Sequence, residues 1–106
     1  MKIIDLDLFV NEPITFKIGN DTYEVPSSPS TQLVLHMVAI ENKAKKAKNA
    51  EEQIQLLAEM VATLLSQGER NVTKDEVMKK FSPAQMTKVV EVYQKTVMEI
   101  NSNPNS

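Results

Sequence analysis

The stretch from Ile54 to Leu65, IQLLAEMVATLL, is apolar at all but three positions, and a helix built from it cannot stand alone in water. At about 100° per residue, Ile54, Leu57, Ala58, Val61 and Leu65 fall on one stripe, while Leu56, Met60 and Leu64 form a second row at i, i+4 and i+8. Gln55, Glu59 and Thr63 leave only a narrow solvated strip, so the apolar arc spans roughly 200°. The rest of the chain must cover this helix on several sides. If the first stripe fills the core against the stripe running from Met86 to Ile100, the row Leu56, Met60, Leu64 is surplus. It is then the candidate partner-binding surface, meeting an apolar partner helix or a second copy of the chain. The competing expectation is that the hairpin or the helix over Leu33 to Ile40 covers this row inside the monomer.

At 106 residues and 11.9 kDa the chain is expected to form a single domain over 1–100, with a polar, disordered tail at 101–106. A domain of that length buries on the order of two thirds of its unfolded surface. A formal net charge of −2 speaks against non-specific binding to nucleic acid. With no cysteine there is no disulfide framework, no thiolate nucleophile and no cysteine-based zinc site, which fits a reducing cytoplasm. Two glycines are too few for the loops that bring backbone close to a phosphate. The N-terminus lacks the basic and apolar pattern of an export signal, and no run of about 18 uncharged apolar residues is present, so neither secretion nor a membrane span is expected.

Along the chain, residues 2–10 alternate with period 2 and are read as a half-buried extended segment, an extra edge strand. Ile14, Phe16 and Ile18 alternate with Thr15 and Lys17, Gly19-Asn20-Asp21 turns the chain, and Thr22-Tyr23-Glu24-Val25 returns as the second arm of a β-hairpin. Residues 1–26 thus hold the extended segment and hairpin, and residues 29–100 the helical part. Helices are expected at about 29–48, 50–67, 74–80 and 83–100. Ser28 before Pro29 starts the first, and Asn49 with Glu52 marks a fresh start rather than one long helix. Gly68 closes the second helix. Thr73 with Glu76 and Ser82 with Gln85 are capping boxes, each reinforced by a hydrophobic staple, Val72 with Val77 and Phe81 with Met86. In the first helix Leu33 to Ile40 is apolar except for His36 and is expected to be buried, while Glu41 to Lys48, ENKAKKAK, reaches into solvent. The last helix carries Met86, Val89, Val90, Tyr93, Val97 and Ile100 on one face. The fold class is α+β, mostly α, with an N-terminal β-hairpin packed on about four helices.

Chemistry-bearing residues are sparse. A single histidine, His36, rules out a multi-histidine metal site and reads as a boundary residue of its helix. Asp5 and Asp7 read as a solvated edge, and Asp75 with Glu76 complements a helix dipole. Lys43, Lys45, Lys46 and Lys48 are flanked by Glu41, Glu51 and Glu52 and have no interleaved aromatic residue for base stacking, so they read as a solvated helix end. The pair of helices from Thr73 to Lys95 lacks the basic or amide-rich face of a DNA recognition helix. Six methionines suit core filling and also adaptable binding surfaces. No catalytic residue, cofactor-binding residue or metal ligand is assigned, and the chain is not expected to be an enzyme.

The hairpin PITFKIGNDTYEVP ending in a Pro/Ser linker, the helix LVLHMVAIENKAKK, and the double helix start TKDEV and FSPAQMTKVVEVYQ together resemble the tail assembly chaperones of long-tailed bacteriophages and prophages. The resemblance spans nearly the whole chain and rests on patterns of hairpin, cap and apolar stripe, with no active-site residue to carry over. It implies a cytoplasmic protein that coats the apolar tape measure protein and assists polymerisation of the tail tube protein around it, with no nucleic acid or membrane as partner. It also implies that a frameshifted longer form would branch off near Asn101 to Ser106. The alternatives are a small phage or prophage DNA-binding regulator and a structural tail component retained in the particle.

Overall fold

The computed structural model describes residues 2–4, 13–68 and 70–101, with side chains through Thr96. Two strands and four helices follow in order: β1 (Ile14–Ile18), β2 (Asp21–Val25), α1 (Thr31–Lys45), α2 (Ala50–Leu65), α3 (Lys74–Lys80) and α4 (Pro83–Asn101). The expected class, a hairpin followed by four helices, is the observed one. Lys2, Ile3 and Ile4 carry no regular structure and leave both isoleucines exposed. The remainder of the expected edge strand and the tail beyond Asn101 lie outside the described residues.

β1 and β2 pair antiparallel, with Ile14 opposite Val25, Phe16 opposite Tyr23 and Ile18 opposite Asp21. The loop is therefore Gly19-Asn20 alone, one residue shorter than expected, because Asp21 joins the ladder. Gly19 sits at φ +59° and Asn20 does not share the positive φ, the pattern of a type II′ turn with glycine in its first position. Pleating gathers Ile14, Phe16, Ile18, Tyr23 and Val25 on one face, and Tyr23 and Val25 are fully buried.

The side that this face meets is α2, which packs against β2, α1, α3 and α4 and so holds the place expected of it. Ala58, Val61, Leu64 and Leu65 are at most 1 % exposed. Burying each of the three larger ones contributes about 1.5–3 kcal/mol. Val72, Val77, Phe81, Met86, Val89 and Tyr93 complete the core from α3 and α4. Ile54, placed on the core stripe by its spacing, is exposed, so the covered part of the stripe begins further along the helix.

The caps explain the boundaries. Asn49 Oδ1 accepts from the Glu52 amide at 2.8 Å, and the break between α1 and α2 is real. Ser82 and Gln85 form a complete capping box, with Gln85 N donating to Ser82 Oγ and Ser82 N to Gln85 Oε1. The box at Thr73 is only half made. Thr73 Oγ1 accepts from the Glu76 amide, but the Glu76 carboxylate turns to the hairpin instead. Two expectations are corrected. α1 starts at Thr31 behind an Ser30 cap rather than at Pro29 behind Ser28, since the Pro26 to Pro29 stretch is used to cross from β2 to α1 and buries Ser27 on the way. Gly68 lies two residues past the Ser66 cap of α2 and has no positive φ. Its lack of a side chain matters because a Cβ there would run into the backbone carbonyl of Glu24.

Candidate functional site

α1 is the element whose surroundings depart most from expectation. Its first half was expected to be buried, yet Ile40 is its only fully buried residue, and Val34, Leu35 and Val38 are 40 %, 65 % and 46 % exposed. Leu33, Met37 and Ala44 turn inward and are half-buried. The physical reason is geometric: α1 packs on α2 and on no other described element to a comparable extent, so one face is covered and the opposite face has no neighbour.

Grooves run along both edges of α1. One, of about 540 Å³, is lined mostly by polar residues, with Pro26 and Leu33 among them, and lies near its N-terminus, where Ser28, Ser30, Gln32 and His36 face Thr63, Ser66 and Gln67 of the α2 end. The other, of about 380 Å³, is apolar and lies near its C-terminus, where Ile40 and Ala44 face Leu56, Leu57 and Met60 of α2 and Val90 of α4. These pairings show that α1 runs antiparallel to α2. Glu41, Lys45, Gln53 and Gln94 rim the apolar groove, and Gln94 Nε2 donates to Glu41 Oε1 across it at 2.6 Å. Val34 and Val38 share a helical row with Glu41 and Lys45 at i, i+4, i+7 and i+11, so this part of the exposed patch runs along the edge of α1 that borders the groove, while Leu35 lies further round on the far face.

The row Leu56, Met60, Leu64 is not left over. Met60 is 4 % and Leu64 0 % exposed, and Leu56 is half-buried in the apolar groove. α1 occupies the place that a partner was expected to take, and the surplus apolar surface is passed outward to the far face of α1. The competing expectation was that the hairpin or the Leu33 to Ile40 helix covers this row inside the monomer; Met60 and Leu64 are buried within the monomer, with Ile40 and Ala44 of α1 facing Leu56 and Met60.

A second cluster joins the hairpin to α3. The Tyr23 hydroxyl donates to Glu76 Oε2 at 2.8 Å, the Lys80 ammonium reaches Asp21 at 2.9 Å and Glu76 at 3.5 Å, and the Tyr23 and Phe81 rings lie 6.0 Å apart. The Arg70 guanidinium stands 4.5 Å over the Tyr23 ring and donates to the Thr22 carbonyl. The Lys80 hydrogen bond holds the Asp21 carboxyl below its usual range, and Asp21 in turn raises Lys80. Burial, and then the bond to Glu76, push the Tyr23 phenol up. These pairings are partly solvated and fasten two elements together. No sequence signal beyond the i, i+4 spacing of Glu76 and Lys80 announces them, because the partners meet only through the fold.

His36 is exposed on the wall of the polar groove and makes no hydrogen bond among the described residues. The hydroxyls of Ser27 and Ser28 are buried and have no hydrogen-bond partner among the described residues. Lys43, Lys45, Lys46 and Lys48 are all exposed, and of the four methionines whose side chains are described, Met60 and Met86 are buried, Met37 is half-buried and Met78 is exposed. Among the described residues no group of three or more histidine or acidic side chains could hold a metal ion, and no helix is long and apolar enough to cross a membrane. The arrangement offers apolar surface flanked by polar rims, suited to contact with another apolar chain. No protein-family model matches the chain, and no curated protein and no solved structure matches it either.

Proposed function

We propose that this chain is a tail assembly chaperone of a long-tailed phage or prophage, an interaction module that binds apolar helical segments of the tape measure protein in the bacterial cytoplasm and assists assembly of the tail tube around them. The phage context rests on the resemblance of the hairpin, the caps and the apolar helices. The observation that carries the binding role is the exposed Val34, Leu35, Val38 face of α1 beside the groove floored by Ile40, Leu56 and Met60. A domain of this size has enough core to fold without that face, so its apolar character is not needed for stability. An amphipathic partner helix laid along α1 would bury it by the i, i+4 anchoring common to helix-in-groove capture.

The test is co-expression with the tape measure protein. The expected result is that the tape measure stays in solution and co-purifies with the chain, and that the double variant Leu35→Glu, Val38→Glu loses it while keeping its melting temperature. If the tape measure is equally soluble without the chain, or the double variant binds as well as the parent, the reading is wrong.

A further inference from the structure

We propose that α1 is a displaceable cover, which leaves α2 and returns to it as a unit while the hairpin, α2, α3 and α4 stay folded. Four observations meet at this helix. Only Ile40 is fully buried, whereas α2 carries six buried residues. Grooves of about 540 and 380 Å³ flank it, so along both edges its side chains have lost the close contacts that dense packing would supply. Among the described residues one side-chain hydrogen bond, Gln94 to Glu41, ties it to another element, and no ion pair does. Its two ends run into segments without regular structure, Pro26 to Pro29 on one side and Lys46 to Lys48 on the other, where backbone rotation can be absorbed without breaking a strand or helix.

Release of α1 uncovers Met60 and the covered part of Leu56, the middle and start of the row that the sequence marks as surplus. The closed form hides this row from solvent and from indiscriminate association. The open form presents an apolar helix face whose shape complement is known from α1 itself, with Leu33, Met37, Ile40 and Ala44 at helical spacing. The opening does not depend on any partner. That the uncovered α2 face then serves as a second apolar surface, beside the outer face of α1, rests on the function proposed above.

Amide hydrogen exchange on the free full-length chain tests the opening. A released helix of 15 residues is marginal in water, so its amides exchange each time it leaves. After correction for intrinsic rates, α1 amides are expected to exchange about a hundred-fold or more faster than those of α2 and α4. Equal protection in α1 and α2 overturns the proposal. The chain has no cysteine, so the variant Glu41→Cys, Gln94→Cys can be joined selectively by a short bismaleimide. That clamp is expected to slow α1 exchange about tenfold and to leave α2 and α4 unchanged. Fast α1 exchange that persists under the clamp would show fraying in place and overturn the proposal as well. A clamped chain that captures the tape measure as well as the free chain shows that the outer face of α1 suffices and overturns the role of the uncovered α2 face as a second surface, whereas failure of the unclamped chain to bind counts against the proposed function instead.

Discussion

The hydroxyl of Tyr23 on β2 donates a 2.8 Å hydrogen bond to the carboxylate of Glu76 on α3, 53 residues along the chain. The phenol ring is buried while the Glu76 side chain keeps 27 % of its exposure, so the bond joins a dry ring to a carboxylate that still meets water. The Glu76 side chain is aimed at the hairpin and makes no bond back to the Thr73 amide, so the Thr73 box stays half made. A hydrogen bond to a charged acceptor is worth about 1.5–3 kcal/mol when fully sheltered, and solvation of Glu76 reduces that. Tyr23→Phe is expected to lower stability by about 1 kcal/mol, read as a shift in urea midpoint at unchanged slope. Glu76→Gln, which keeps an acceptor, should cost less. A Tyr23→Phe variant as stable as the parent would show that the bond contributes nothing.

The same phenol governs the alkaline limb of stability. Burial, followed by the Glu76 hydrogen bond, raises Tyr23, and burial raises Tyr93, partly offset by its hydrogen bond with Gln67. A group whose folded pKa lies above its unfolded value contributes stability that is fully present below the unfolded value, about 10 for tyrosine, and lost as pH rises through the folded one. Stability should therefore hold through neutral pH and fall above about pH 10. The chain contains two tyrosines and no tryptophan, so phenolate absorbance reports both groups and nothing else. Ionisation is expected to coincide with unfolding, and a phenolate signal that appears at the ordinary tyrosine range with the fold intact would contradict this.

On the acid side the sign reverses. Asp21 is lowered, first by its hydrogen bond to Lys80, so its contribution is present above the unfolded carboxylate value of about 3.9 and is lost as pH falls through the lower, folded value. The carboxylate is well solvated, so the effect is small. Asp21→Asn is expected to flatten the acid limb of a urea-midpoint profile and to lower its neutral plateau only slightly. An unchanged acid limb would remove Asp21 from the account.

Gly68 gives a test of close approach. Its neighbour is rigid backbone, the Glu24 carbonyl, and not the flexible end of a side chain. Gly68→Ala must push β2 away from the α2 end and is expected to cost about 1–3 kcal/mol by the strain of overpacking. Gly19→Ala has open space around it and suffers only from its positive φ, at about 1–2 kcal/mol. Circular dichroism melts of both variants would check this, and a neutral Gly68→Ala would show that the approach relaxes freely.

What the sequence made legible was local. Asn49, Thr73 and Ser82 are caps whose hydrogen bonds close within three residues, so spacing alone placed α2, α3 and α4 within two residues of where they lie. The staples Val72 with Val77 and Phe81 with Met86 follow the same logic, and all four residues are buried. The hairpin was legible because alternation and Gly19 are also local signals. Non-local choices were not. An apolar helix must be covered, but periodicity does not say by what. α2 and the Leu33 to Ile40 run were both apolar nearly all round, and one of them had to keep a face outside. The fold gives that place to α1, because α2 is already engaged by β2, α3 and α4. Likewise nothing in Asp21 or Glu41 taken alone points to Lys80 or Gln94, since those bonds exist only after the elements have packed.

The exchange of roles between α1 and α2 can be tested by placing the same charge on each. Met60 is 4 % exposed and lines the apolar groove between α1 and α2, where a carboxylate would be desolvated beside Glu41, with the exposed Lys45 at the rim as the one cation lining it. A fully uncompensated buried charge costs about 3–5 kcal/mol, a large part of the stability of a domain this size, and a solvated rim lysine offsets only some of it. Leu35, at 65 % exposure, faces water already, and its replacement by glutamate should alter stability by no more than about 0.5 kcal/mol. Met60→Glu is therefore expected to unfold the chain or to release α1, seen as loss of cooperative melting or as selective loss of α1 amide protection. Leu35→Glu is expected to melt like the parent and to affect association alone. If Met60→Glu melts normally, α1 does not cover the row and the partner surface returns to α2. If Leu35→Glu is the variant that unfolds, the outer face of α1 is packed and cannot be the surface offered to a partner.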